Sequence, residues 1–300
     1  MVKLKANFKA DLLAMARRYL AADWGPEVPQ LSEDDLLIGF FDSLRRRPAV
    51  VPRRLWVADD FNCPPDQVAG WQALQKKVVE GGDLRPHLSR KHSALNALDG
   101  LLNEWGVHHL HLGIGPAPGA SGHVQRSGPV LFARLTEEDF YAINIYPHGA
   151  WENSSVLESL HRNWPDSIKN YRLKSVQGEP LSEMERRNLR KVNAQAATTT
   201  ADGTVYMAIG GGVASSGTSA EAVRLADMLS SDIARLPMAI EERVEKLLPH
   251  LRAGGYTDQA EIVATLVAIT SDAFQVDFPD YGVRFNVQLE GGCFHRRPST

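Results

Sequence analysis

The stretch Gly106-Val107-His108-His109-Leu110-His111-Leu112 marks the point where the chain changes from helical to alternating patterning. Just before it, Leu95, Leu98, Leu101, Leu102 and Trp105 recur at the three-to-four-residue spacing of a helix face. Within it, alternate side chains share a face of a strand. Leu110 and Leu112 then point one way, with His108 beside them, while His109 and His111 point together to the other side. Gly106 ends the helix, where a left-handed residue costs glycine little.

Working outward, residues 130–135 and 140–146 read as strands joined by the polar turn Thr136-Glu137-Glu138-Asp139, the pattern of an antiparallel hairpin. Residues 151–164 predict a helix broken by Trp164-Pro165. Upstream, helical spacing covers residues 8–20, with Asp23-Trp24-Gly25-Pro26 as the break. A second helix is capped by Ser32 and stops at the basic run Arg45-Arg46-Arg47-Pro48. A short strand follows over 50–57, then a third helix over 66–79, and a fourth capped by Ser89 or Ser93. Downstream, a polar helix runs through Arg190. A turn over 198–203 and a strand over 205–209 lead to Gly210-Gly211-Gly212. Three helices (219–235, 238–252, 257–272) and a closing strand at 283–289 complete the chain. The expected fold is α+β in two domains. Residues 1–180 carry helices and a small antiparallel sheet; residues 181–300 are mostly helical with a Gly-rich turn. The break falls at Gln177-Gly178-Glu179-Pro180.

Composition narrows the function. Charged residues are 23% and hydrophobic ones 43%, the balance of a folded globular chain. No apolar run is long enough for a bilayer, and the start Met1-Val2-Lys3-Leu4-Lys5 lacks a signal-peptide core, so a cytoplasmic, non-membrane protein is expected. Cys63 and Cys293 stand far apart, which excludes a disulfide framework and a four-cysteine zinc site. The net charge is −3, and residues 201–300 hold 8 Lys+Arg against 13 Asp+Glu. A protein that clamps duplex through many phosphates shows a basic surplus instead. Any nucleic-acid partner is then held by a local patch.

Four side chains stand out. His109 and His111, at i and i+2, suit either metal ligation or proton transfer near neutral pH. His148, in Tyr146-Pro147-His148-Gly149 after a strand, can join them. Arg126 ends the glycine-rich loop 113–128 and offers a planar fork to a phosphate. Each also has a structural reading, as a solvated or packed side chain. Two further segments read mainly as structural: His161-Arg162-Asn163-Trp164 as a helix terminus, and Gly210–Ser219 as a loop closed by a Thr218/Glu221 capping box.

Over residues 89–175, helix, glycine-led first strand, hairpin and helix come in an order that resembles the RelE/ParE toxin-type fold, within the wider group of barnase-like and colicin-like ribonucleases. The resemblance implies RNA cleavage on a sheet face without metal or cofactor, with RNA or the ribosome as partner. It makes His109 or His111 the base for the 2′-hydroxyl, His148 the acid for the leaving oxygen, and Arg126 the cation for the phosphorane charge. The loop 113–128 is longer than that family's usual connection, and residues 181–300 resemble no family. Two other classes fit the same residues. One is a zinc-dependent hydrolase with His109, His111 and His148 as ligands. The other is a non-catalytic regulatory or interaction protein that docks a protein partner or a second copy of itself.

Overall fold

Alternation at residues 107–111 does produce a strand, and its two faces meet different helical layers. The computed structural model describes residues 3–25, 28–119, 122–126, 128–257 and 261–291. From the N-terminus, β1 (Lys3–Ala6) precedes helices α1 (Phe8–Trp24) and α2 (Glu33–Arg46). Then come β2 (Arg54–Val57), α3 (Val68–Glu80) and α4 (Gly100–Trp105). Strands β3 (Val107–His111), β4 (Val130–Leu135) and β5 (Asp139–Tyr146) follow in succession. Helices α5 (Ser155–Asn163), α6 (Pro165–Ile168) and α7 (Glu183–Lys191) lead to the short pair β6 (Thr198–Thr199) and β7 (Val205–Tyr206). The rest is α8 (Ala220–Glu241), α9 (Val244–Ala253), β8 (Glu261–Ile269), β9 (Phe274–Phe278) and β10 (Val283–Val287). The class is α+β. No helix among the described residues is long and apolar enough to cross a membrane.

The chain divides into two compact units, but not at residue 180 as the sequence suggests. One unit comprises Asp42–Val223; the other joins the residues up to Phe41 to those from Arg224 on. The Gly/Pro break at 177–180 is a surface crossing within the first of these. Its neighbour Leu173 donates its N–H to the Val205 carbonyl at 2.9 Å, which ties the two flanks into one body.

In the unit Asp42–Val223 the sheet order is β2-β5-β4-β3. β3 and β4 are antiparallel, as are β4 and β5, while β2 runs parallel to β5. The hairpin turn is the expected one: Thr136 and Asp139 bond through backbone (2.9 Å), and Thr136 Oγ1 accepts from the Asp139 N–H (2.9 Å). One face of the sheet (Leu110, Leu131, Ala133, Phe140) packs on Trp71, Leu74 and Val78 of α3. The other (Val107, Val130, Phe132, Ile143) packs on Val156, Leu157 and Leu160 of α5, with Trp105, Tyr206 and Ile209. Gly106 closes α4 at φ 65°, its N–H donating to the Leu102 carbonyl at 2.9 Å. Ser89 caps only a short 3-10 turn, and Asp99 is the residue that caps α4. The loop after β3 is less irregular than its composition suggests. Pro116 bridges Val124, and Gln125 donates to the Gly115 carbonyl at 2.8 Å.

The other unit holds a sheet in the order β1-β8-β9-β10 with α1 and α9. The expected helix over 257–272 is a correction: residues 261–269 form β8. β-branched Ile262, Val263, Thr265 and Val267 favour a pleated surface, and Ile262, Ala264 and Leu266 alternate into the core. The last region is therefore not mostly helical. Residues 219–235 and 238–252 also depart from expectation, since α8 runs unbroken through Pro237. Cys63 is a free thiol, and Cys293 lies outside the described residues.

Candidate functional site

His109 and His111 leave β3 on the face that carries Val107, opposite Phe132 and Val130 of β4. His148 does not come from a neighbouring strand, because β4 lies between β3 and β5. A bulge brings it over. Between Phe132 and Ala133 the register jumps, so Ala142 and Asn144 are the partners and Ile143 is the extra residue. One inserted residue reverses the faces of everything beyond it. Val130 then lies between His111 and Tyr146 in one cross-strand row, and the Tyr146 ring meets Phe132 at 5.1 Å. Two residues further, the Pro147–Ala150 turn carries His148 back over the row; Gly149 takes φ 106° there.

The result is a ring cluster. The imidazoles of His111 and His148 stack with centroids 5.9 Å apart and planes at 28°. His109 and His111 meet edge to face at 6.4 Å. Trp151 touches both outer members, His109 at 4.7 Å and His148 at 5.0 Å, and its own ring stacks on Phe132 at 5.6 Å. His109 and His148 line one cavity of about 400 Å³ together with Trp151, Glu152, Glu104, Arg190 and Lys91. The cavity lies wholly within the unit Asp42–Val223.

His111 plays a different part from its neighbours. It is buried, and its Nδ1 has no hydrogen-bond partner among the described residues. Burial, then the positive Arg126, then His109, His148 and His87 disfavour its protonation and hold its pKa down at about 3. A group that is neutral throughout the physiological range is a poor proton carrier at pH 7. His111 is buried and is not among the residues that line the cavity. Behind it, His87 Nδ1 lies 2.7 Å from the His111 carbonyl and His87 Nε2 lies 3.1 Å from Lys77 Nζ. Lys77 can only donate, so Nε2 accepts and Nδ1 carries the hydrogen. Burial pushes the His87 pKa down as well, which suits that neutral tautomer.

Arg126 disfavours protonation of His111 but is not among the cavity residues. Its Nη1 donates to the Leu88 carbonyl at 3.1 Å. The water-exposed cation on the cavity wall is Lys91. An ion-pair network absent from the sequence expectations reaches the same cavity. Buried Glu104 pairs with Arg186 and, at 2.7 Å, with Arg190. Arg190 also donates to the Trp151 carbonyl at 2.6 Å. Both guanidiniums lie over the Trp105 ring, at 4.8 and 5.1 Å.

No protein-family model, no curated protein and no solved structure matches the chain.

Among the described residues no group of three or more His, Cys, Asp or Glu side chains is placed to hold a metal. The His161–Trp164 segment stays structural: Trp164 packs against Tyr141 at 5.1 Å, and His161 bonds Tyr206 (2.8 Å) and Asp202 (3.1 Å).

Proposed function

We propose that this chain is a metal-independent ribonuclease whose proton-transfer pair is His109 and His148. The observation that carries the reading is that these two imidazoles, and not the buried His111, open onto one cavity. Cleavage through the neighbouring 2′-hydroxyl needs one neutral and one protonated imidazole. The neutral ring takes the 2′-hydroxyl proton as that oxygen bonds to phosphorus. The P–O5′ bond breaks, and the protonated ring gives its proton to the departing 5′ oxygen. The products are a 2′,3′-cyclic phosphate and a 5′-hydroxyl. Lys91 supplies the cation on the cavity wall in place of Arg126, which acts through His111. The β3–β4–β5 meander behind a helix is in keeping with the toxin-type resemblance.

The test is incubation of a mixed-sequence RNA with the purified protein in excess chelator, with the new ends identified chemically. The reading expects 2′,3′-cyclic ends, lost at least 100-fold in His109→Ala and in His148→Ala. An RNA left intact, free and on ribosomes, points to the non-catalytic class instead. Cleavage that disappears with chelator overturns the metal-free mechanism.

A further inference from the structure

The glycine-rich run at 210–219 holds side chains from a neighbouring segment in place. α8 is capped by Ser219, whose Oγ accepts from the Ala222 N–H at 3.1 Å, so the expected Thr218/Glu221 box is not the cap. The loop instead anchors two side-chain amides that reach it from the segment after α7. Asn193 Nδ2 donates to the Ser215 carbonyl at 3.3 Å, and Gln195 Oε1 accepts from the Val213 N–H at 3.0 Å. A backbone carbonyl only accepts and a backbone N–H only donates, so both amide orientations are fixed. That leaves one acceptor, Asn193 Oδ1, and one donor, Gln195 Nε2, without a hydrogen-bond partner among the described residues. Both residues line the cavity that holds His109 and His148.

Two glycines make the room. Gly212 and Gly217 sit at φ +94° and +86°. A Cβ at Gly217 would lie 2.8 Å from Leu98 Cδ1 and 3.0 Å from Asn193 Oδ1, and one at Gly212 would collide with Gln195 Nε2. Around the amides the wall is apolar, with Ala97, Leu98, Leu101, Ala194 and Val213. The cavity charges balance: Arg46, Lys91 and Arg190 against Asp99, Glu104 and Glu152. Of these, Arg46, Arg190, Glu104 and Glu152 are already engaged in ion pairs within the protein. Apolar walls, one fixed donor, one fixed acceptor and no net charge fit an uncharged planar heterocycle better than a phosphate.

We propose that the cavity is a base-recognition pocket, which takes one unpaired nucleobase of an RNA strand. Asn193 Oδ1 accepts from its hydrogen-bonding edge and Gln195 Nε2 donates to it. This rests on the ribonuclease reading of His109 and His148, which would meet the phosphodiester beside the seated base. Binding can be measured without turnover, because nucleoside 3′-monophosphates lack the bond to be cleaved. Calorimetric titration of the four common ones into the wild-type protein should give affinities that differ at least tenfold between the best and the worst. Gln195→Glu turns the donor into an acceptor at an exposed position and should reorder the four; Asn193→Asp provides a second variant on the acceptor side. Ratios among the four cancel any uniform loss from the added charge. A spread below tenfold, or the same order in Gln195→Glu, overturns the pocket. Selective binding with no cleavage of RNA by the wild type keeps the pocket and sinks the ribonuclease reading. Cleavage after all four bases alike does the reverse.

Discussion

His111 should make the protein acid-sensitive by an amount that can be worked out in advance. An unfolded histidine titrates near 6.5, whereas the folded His111 is held at about 3 by burial and by Arg126. On acidification the unfolded chain therefore binds a proton that the folded chain refuses. The stability from this residue is intact above pH 6.5 and drains away between 6.5 and 3, by up to about 1.4 kcal/mol per pH unit. Between pH 7.5 and pH 5.0 the loss comes to about 2 kcal/mol. His111→Asn removes the titration. Urea unfolding followed by tryptophan fluorescence at the two pH values suits the question, since Trp105 and Trp151 both lie in the unit that carries the site. The variant will lose some stability at both pH values, but its drop from pH 7.5 to 5.0 should be smaller than the wild type's by about 2 kcal/mol at similar urea slope. Equal drops in the two proteins would refute the placement of a neutral His111 behind the cluster.

Other perturbations separate scaffold from site. Leu110→Ala should cost about 2–5 kcal/mol in urea unfolding, since Leu110 is fully buried against α3. Gly106→Ala should cost about 1–2 kcal/mol for the left-handed backbone, and more because its Cβ would come within 2.7 Å of Arg134 Nη1; the thermal midpoint should fall by a few degrees. Glu104→Gln leaves buried Arg186 without its carboxylate and half-buried Arg190 with only the longer contact to Glu152 at 3.9 Å, and should destabilise by about 3–5 kcal/mol in the same assay.

The strand Val107–His111 and its hairpin were legible because alternation, a helix-ending glycine and a polar turn are local signals. So were the shared face of His109 and His111 and the opposite face of Leu110. The position of His148 was harder to derive. It depends on the extra residue Ile143, and a bulge leaves no trace in periodicity that a reader can separate from a short apolar run. That His111 is the proton-refusing member follows from burial, and its spacing is the same as that of its neighbours. Lys91, Glu104 and the run holding Arg190, Asn193 and Gln195 are three separate stretches with no shared spacing to find. Only Trp151, three residues beyond His148, carried a nearby hint. Strand β8 was misread because its Val, Ile and Leu residues satisfy a helical spacing as well as an alternating one.

The pairing of His109 with His148 is tested most directly by the pH dependence of kcat/KM for RNA cleavage in the presence of chelator. The account expects a bell-shaped profile in the wild type, with His109→Ala and His148→Ala each losing one limb and at least 100-fold in rate at the optimum. A profile that keeps both limbs when either histidine is replaced would contradict it.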